Sequence, residues 1–498
     1  MDETAARETG VKADTFPSSG VPRKPNIVWV MADDLGSPLS FTGTAGVKTP
    51  HIDRLAREGM FFSRYYSTAP TCAPSRTTML TGMYATYLNA QHHHSTPDFP
   101  PTVKHLAERL REDGGYYTAN VAKVPQGYPF ISFGKRDYDW SRQHDPSLYD
   151  TDDYAGLKDH QPFYAEFQCI EPHSPWHSLE KYGEEGLAVD PAEVELPPYY
   201  ADTPETRKTW AKYLSSCQVF DAKVGFVRDM LEKDGLLENT IIVVLTDHGR
   251  DMARAKFNLY DAGIHLPLVV WIPERYRPAG YEPGAVSAQL ISGVDIVPTM
   301  LTMAGIELPP DLQGMPFLGP AVQEREYVYA HRDRVLSHVD RSRAVVGKRF
   351  HYVRNYMPEQ PAFWPPSLYE KLDIGYDEIL VEMLRLRAEG KLTPEQEQIL
   401  AEVRPFEELF DIEQDPHQLR NLADDPDYLP VLRQMRTALE FWIADTQDKG
   451  FLPEPPDEAQ KGAWLVDFWV QTTKGQYNVD DYGVFDLPGS PEFAHLLQ

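Results

Sequence analysis

Apolar positions along the chain follow two alternating rhythms from about residue 26 onward. "KPNIVWVMADDLG" is a continuous Ile, Val and Trp run that breaks at Asp33 and Asp34, the pattern of a doubly buried strand whose carboxyl end carries two acids. "KTPHIDRLAREGM" then has helical spacing, with Thr49 at the N-cap, Pro50 at N1, and Ile52, Leu55 and Ala56 on one face. "FFSRYYST" returns as a strand. The helix "TVKHLAERLREDGG" ends at Gly114, and the strand "YYTANVAK" finishes at Lys123. "PFYAEFQCIEPHSP" reads as a strand finishing near His173. A long helix from about 204 to 234 leads into "TIIVVLTDHG", the most apolar strand, which finishes at Asp247 and His248. "HLPLVVWIP" is a further strand, and "DIVPTMLTMAG" a helix after it.

Such alternation predicts an α/β fold with a large, mostly parallel sheet sandwiched by helices. Beyond about Pro320 the texture changes. "REYVYAHRDRVLSHVDRSRAVVGKRFHYVRNY" reads as consecutive antiparallel strands, and "LPVLRQMRTALEFWIADTQ" as a helix before a tail rich in Pro and Asp. The expected organisation is a flexible N-terminal segment over 1–23, an α/β unit over 24–322, and a smaller C-terminal α+β subdomain on an antiparallel sheet over 323–498.

Hydrophobic residues at 42% and aromatics at 12% place the chain among globular proteins. The net charge of −27 argues against a nucleic-acid partner, because phosphate binding needs a surplus of Lys and Arg. A small anionic substrate is compatible, since it needs only a local reversal of sign. No window reaches the roughly 18 apolar residues of a membrane span. The first twenty residues lack the apolar centre of a signal peptide. The expected location is periplasmic or secreted if a leader has been removed, and cytoplasmic otherwise. Three cysteines cannot build a disulfide framework, and Cys169 and Cys217 read as unpaired core residues.

In open parallel sheets, ligand sites lie outside the carboxyl ends of the strands. That rule gathers Asp33, Asp34, Lys123, His173, Asp247 and His248. Each alone reads as a loop residue or a helix cap; their recurrence at one end of several strands points to a site. Three aspartates and a histidine converge at one edge, where unpaired carboxylates repel unless a divalent cation holds them, and oxygen-rich ligation favours Ca²⁺, Mg²⁺ or Mn²⁺. "TCAPSRTTMLTGMY" puts Cys72 at the mouth of a helix, where the dipole and free N–H groups suit an anion. Arg76 adds a positive charge one turn on, and Lys123 and Lys256 extend the cationic pocket.

"CAPSR" matches the Cys-X-Pro-Ser-Arg signature of the formylglycine-dependent sulfatases, within the alkaline phosphatase superfamily. "NIVWVMADDLG", "TGMY", "GYYTANVAK", "EPHSPWH", "TDHG", "KFNLYDAGIHLPLVV" and "ELFDIEQDPHQLRNLA" follow in that family's order. The chain thus resembles the family from about Asn26 to about Asp448. "YYADTPETRKTWAKYLSSCQVFDAKVG" and "DPHQLRNLADDP" look most like the heparan N-sulfatase (sulfamidase) branch and bacterial glycan sulfatases.

The resemblance implies an alkaline phosphatase-like fold and a Cys72 converted to formylglycine by a maturation enzyme, its hydrate being the nucleophile. It implies Ca²⁺, with Mg²⁺ or Mn²⁺ as alternatives, held by Asp33, Asp34, Asp247, His248 and residue 72. Arg76, Lys123 and Lys256 would hold the sulfate, and His173 would assist the leaving group. Two departures stand out. "KVPQG" has Pro125 where relatives carry a histidine, and one of His92, His93 and His94 in "NAQHHHS" is offered as its substitute, against the plain reading of a solvated loop. "GIHLP" has His265 where an arginine is frequent, a substrate-pocket variation. Arg250 and Arg254 are candidates for contacting an anionic glycan, or else exposed salt-bridge partners.

The implied function is hydrolysis of sulfate from a sulfated carbohydrate. The alternatives are N-sulfoglucosamine hydrolysis specifically, phosphonate or phosphate ester hydrolysis within the superfamily, which His248 encourages, and a non-catalytic glycan-binding homologue with an unmodified Cys72.

Overall fold

The computed structural model describes residues 24–452, apart from 94, 96, 98, 126–132, 136–144, 146, 321, 336–337, 362 and 364–376, together with residue 454. The expected N-terminal segment, His94 and the end of the tail lie outside the described residues.

The strands of the first half are β1 (Asn26–Ala32), β2 (Met60–Tyr66), β3 (Tyr117–Lys123), β4 (Thr151–Asp153), β5 (Phe163–Gln168), β6 (Thr240–Thr246), β7 (His265–Trp271), β8 (Val286–Ser287) and β9 (Ile291–Ser292). Among the described residues they form a nine-stranded sheet in the order β4-β3-β5-β1-β6-β7-β2-β8, with β9 also on β2. β1 lies parallel to both β5 and β6, and the registers Met31 to Gln168 and Ala32 to Thr246 bring three carboxyl ends to one level. β7 runs antiparallel to both neighbours, so the sheet is mixed though mostly parallel. A parallel return needs a crossover to the far end of the sheet. The chain between β6 and β7 holds one four-residue helix, Asp261–Ile264, and re-enters from the same end. β5 stops at Gln168, short of His173, where Pro172 and Pro175 cannot supply ladder N–H groups.

The helices of this half are α1 (Pro50–Glu58), α2 (Cys72–Thr81), α3 (Leu106–Gly114), α4 (Leu179–Glu184), α5 (Pro204–Lys233), α6 (Asp261–Ile264) and α7 (Ile296–Met303). Alternate residues of β1 serve opposite cores. Val28, Val30 and Ala32 pack with Ile52 and Leu55 of α1 and Leu214 and Phe220 of α5. Ile27, Trp29 and Met31 pack with Met79 of α2, Leu106 of α3 and Met300 of α7. Both faces of β1 are therefore buried, as its unbroken apolar run requires. Each large side chain so buried contributes roughly 1.5–3 kcal/mol.

The second sheet is antiparallel, in the order β10 (Val328–Arg332), β11 (Ser342–Val346), β12 (Phe350–Asn355) and β13 (Glu407–Asp411). A helix over Leu429–Asp445 covers it through Leu432, Met435, Leu439 and Trp442. Trp442 stacks on Tyr329 and meets Tyr84 edge-on, both at 5.2 Å between centroids, which ties this unit to the chain just after α2. The His331 N–H also donates to the Thr68 carbonyl at 2.9 Å, joining the second sheet to the segment before Cys72. Among the described residues, no helix is long and apolar enough to cross a membrane.

Candidate active site

Asp33 and Asp34 leave the end of β1, Asp247 and His248 leave the end of β6, and Cys72 opens α2. The level carboxyl ends of β1 and β6 make these groups neighbours. One ligand atom from each of Asp33, Asp34, Cys72, Asp247 and His248 lies within 4.8 Å of all the others, and all five side chains are buried. Asp34 adopts φ 62°, a left-handed conformation unusual for a non-glycine residue. Its N–H donates to Asp247 Oδ1 at 3.1 Å, which fixes the turn.

The Cys72 sulfur sits 3.1 Å from His248 Nε2 and 3.7 Å from Asp33 Oδ1. His248 Nδ1 lies 2.9 Å from the Gly249 carbonyl. A carbonyl only accepts, so Nδ1 carries the proton and the neutral ring turns the Nε2 lone pair inward. Burial pushes the pKa of His248 down to about 4. Asp34 Oδ1 is 3.3 Å from that lone pair and has no hydrogen-bond partner among the described residues. Burial raises the Asp34 carboxyl well above the ordinary carboxylate range, against the opposing pull of Lys256. An orphaned buried carboxylate oxygen beside an imidazole lone pair that also faces the Cys72 sulfur is the donor arrangement a divalent cation satisfies. The residues present therefore fit a metal ion.

Cations surround this acidic core. Arg76, one turn into α2 and 1% exposed, donates Nε to Asp247 Oδ2 at 2.9 Å and Nη2 to Asp33 Oδ1 at 3.3 Å. Lys256 Nζ donates to Asp34 Oδ2 at 2.7 Å and lies 3.2 Å from His173 Nε2. Burial opposes the Lys256 charge, but Asp251 and Asp34 outweigh it and hold the ammonium well above the ordinary lysine range. His173 Nδ1 donates to the Ser174 carbonyl, so its Nε2 accepts from Lys256. Burial and the nearby lysines hold its pKa well below the usual value. Asp251, bonded to Ser174 and 3.8 Å from Lys256, closes the network.

The structure thus brings Asp33, Asp34, Cys72, Arg76, His173, Asp247, His248 and Lys256 together, and places other candidates elsewhere. The Lys123 side chain is 67% exposed and pairs with Asp152 on the adjacent strand β4 at 3.0 Å. The lysine that joins Lys256 at the cluster is Lys135, whose Nζ pairs with Asp33. Nothing periodic marks Lys135 in the sequence; only the length of chain after β3, and the N–H of Lys135 bonded to the Gln168 carbonyl, returns it to the site.

His92 is partly buried against Glu454 and Gln91, and the His93 N–H donates to the Arg334 carbonyl at 2.9 Å. These contacts hold that loop against Arg334 and Glu454. Arg250 and Arg254 are buried, not exposed salt-bridge partners. Arg250 lies over the Trp210 ring and donates to the Tyr199 hydroxyl, while Arg254 lies 4.0 Å from the Tyr260 ring centroid and donates to the Gln418 carbonyl. His265 begins β7, stacks on Tyr66 at 4.7 Å and bonds the Ser63 carbonyl, a placement within the sheet. Cys169 and Cys217 are unpaired and buried.

A sequence model of the family described as "Sulfatase" matches residues 25–306. A second, described as "N-sulphoglucosamine sulphohydrolase, C-terminal", matches residues 253–366. The chain is 33% identical to an ulvan-active sulfatase of Formosa agariphila, over 90% of this chain and 79% of that protein. It is 26% identical to human N-sulphoglucosamine sulphohydrolase, over 86% of this chain and 91% of that protein. A protein solved in complex with its substrate D-glucosamine-2-N,6-O-disulfate superposes with a TM-score of 0.59 at 19% identity, covering 86% of this chain and all of that one. A phosphonate monoester hydrolase from Silicibacter pomeroyi superposes with a TM-score of 0.55 at 20% identity, over 86% of this chain and 97% of that one, so the fold alone does not separate the two chemistries. The family match over more than half of the chain, together with the 33% identical relative, does: the chain belongs to the sulfatase family.

Proposed function

We propose that this sulfatase removes sulfate ester groups from oligosaccharides of a sulfated polysaccharide of the ulvan type. The observation that carries the reading is the buried cluster of Asp33, Asp34, Cys72, Asp247 and His248 set among Arg76, Lys135 and Lys256. The 33% identical ulvan-active relative supports the substrate class, and the 26% identical N-sulphoglucosamine sulphohydrolase makes N-sulfate the second substrate to test.

In this reading Asp33, Asp34, Asp247 and His248, with residue 72, hold a divalent cation; the carboxylates suit Ca²⁺, Mg²⁺ or Mn²⁺, and the imidazole shifts the balance towards Mn²⁺. Bound there, the ion would supply positive charge to the transferring sulfate group. Cys72 is the precursor of formylglycine, whose hydrate supplies an oxygen nucleophile at the N-terminus of α2. Arg76, Lys135 and Lys256 hold the sulfate oxygens where charge develops. Lys256 keeps its proton and donates to the Nε2 of the neutral His173 across 3.2 Å, which holds that ring beside the departing alcohol, whose leaving it assists.

The test is sulfate release, measured by ion chromatography, from ulvan oligosaccharides and from N-sulfoglucosamine, with turnover of an aryl phosphonate monoester followed in parallel. Turnover of the ulvan oligosaccharides above the other two supports the reading. Turnover of the phosphonate alone would replace it with the superfamily's other chemistry.

A further inference from the structure

Strand β5 carries a polar stripe where a buried strand should be apolar. Phe163, Ala165 and Phe167 face the α5 side, whereas Tyr164, Glu166 and Gln168 face the side of α2 and α3, each no more than 1% exposed. Burying an ionisable group and an amide inside a sheet is costly unless every polar atom is matched. Here they are matched in a directional chain. Glu166 Oε1 accepts from the hydroxyls of Tyr149 and Tyr164, each at 2.8 Å. Glu166 Oε2 accepts from Gln168 Nε2 at 2.6 Å, and Gln168 Oε1 accepts from Arg76 Nη1 at 2.6 Å.

The polarity of this chain has one solution. A guanidinium has donors and no acceptor, so the Gln168 atom that faces Arg76 must be its carbonyl oxygen. The Gln168 amide nitrogen is then forced towards residue 166, which must present an acceptor. Arg76 in turn holds Asp247 and Asp33, two of the five cluster groups.

We infer that Glu166 and Gln168 are positioning residues: Glu166 fixes the amide orientation of Gln168, and Gln168 fixes the guanidinium of Arg76 in the site. The inference rests on the role given to Arg76 in the proposed function. In Glu166→Gln, the amide oxygen stays with the two tyrosine hydroxyl donors, and the amide nitrogen at position 166 meets the Gln168 amide nitrogen. Gln168 must then flip and turn its own donors on Arg76, which unseats the guanidinium. In Gln168→Glu, two carboxylates face each other across 2.6 Å, so this variant is read at alkaline pH, where the proton that would bridge them is lost. The double variant Glu166→Gln/Gln168→Glu restores every donor to an acceptor. The amide then at position 166 donates to the carboxylate then at position 168, and that carboxylate accepts from Arg76.

The test is this double-variant cycle read in two ways. The first is kcat for sulfate release from ulvan oligosaccharides. The second is the Nε–Hε cross-peak of Arg76 in a ¹⁵N-arginine spectrum, assigned by its loss in Arg76→Lys. Each single variant is expected to lower kcat on the order of 10²-fold, the cost of a small misplacement at a reacting centre, with KM changed far less. Each should also shift the Arg76 cross-peak. The double variant is expected to recover at least about tenfold of that loss and to return the cross-peak.

Single variants with wild-type kcat and an unmoved cross-peak would overturn the inference, as would a double variant no better than either single one. A role confined to folding stability would lower the unfolding temperature and leave kcat of the folded enzyme and the cross-peak in place. If the wild type releases no sulfate, the functional reading fails by itself, and the cross-peak pattern alone decides whether Arg76 is oriented through this chain.

Discussion

Lys123 and Lys135 show how a residue's place in space separates from its place in the sequence. Lys123 ends a strand and satisfies the carboxyl-end rule, yet its side chain is 67% exposed and paired with Asp152. Lys135 lies outside the described strands, yet it sits against buried Asp33. An exposed ion pair is worth at most about 1 kcal/mol, so Lys123→Ala should leave turnover and stability near wild type. Lys135→Ala should lower kcat on the order of 10²-fold, as removal of one charge-stabilising donor does. Steady-state kinetics of the two variants side by side checks both. At the same scale, Asp221 accepts from the N–H groups of Ile52 and His51 at the start of α1, and burial raises its pKa to about 7. A carboxyl whose folded pKa is raised contributes stability that is fully present below its unfolded pKa and is lost as pH rises through the folded one. Urea denaturation should therefore show the wild type losing stability relative to Asp221→Asn as the pH rises from about 4 through about 7.

The loop from Asp247 to Asn258 carries two ligand candidates and Lys256, and its path depends on a close approach of two backbones. The Gly249 N–H donates to the Gly263 carbonyl at 2.8 Å, and a Cβ on Gly249 would lie 2.0 Å from the Ala262 carbonyl oxygen. Gly249→Ala must push α6 and this loop apart. It should destabilise the fold by about 1–3 kcal/mol, the usual cost of overpacking, and reduce turnover beyond that loss, since His248 and Lys256 lie on the displaced segment. Thermal unfolding and kinetics together check it.

Much of this element-level architecture was legible in the sequence. Asp33, Asp34, Asp247 and His248 directly follow unbroken apolar runs, and Arg76 stands one helical turn from Cys72, so local rhythm placed them. The antiparallel run of β7 was not legible, because strand direction depends on where the connecting loop turns back. The stripe of Glu166 and Gln168 was hidden by its own alternation, which reads equally as a strand with one face in water. Lys135 depends on a long-range return of the chain that no local pattern encodes.

For the whole molecule, the net charge of −27 contrasts with the cations gathered around one buried acidic cluster. That local reversal of sign suits an anionic substrate, and the acidic centre suits a divalent ion. Chelation should leave the buried carboxylates uncompensated and lower the unfolding temperature. Ca²⁺ at about a hundredfold over its Kd should restore about 2.7 kcal/mol of stability, readable by calorimetry. The second sheet reaches the same centre through the His331 to Thr68 contact and the Tyr84 to Trp442 packing, so both sheets bear on the segment around Cys72. The central claim is that Cys72 serves as the precursor of an aldehyde and not as a thiol. The most direct test is the mass of the proteolytic peptide spanning residue 72, taken from a preparation that releases sulfate from ulvan oligosaccharides. The expected peptide is about 18 Da lighter than the cysteine form; sulfate turnover by a preparation carrying only the unmodified thiol would contradict that role for Cys72.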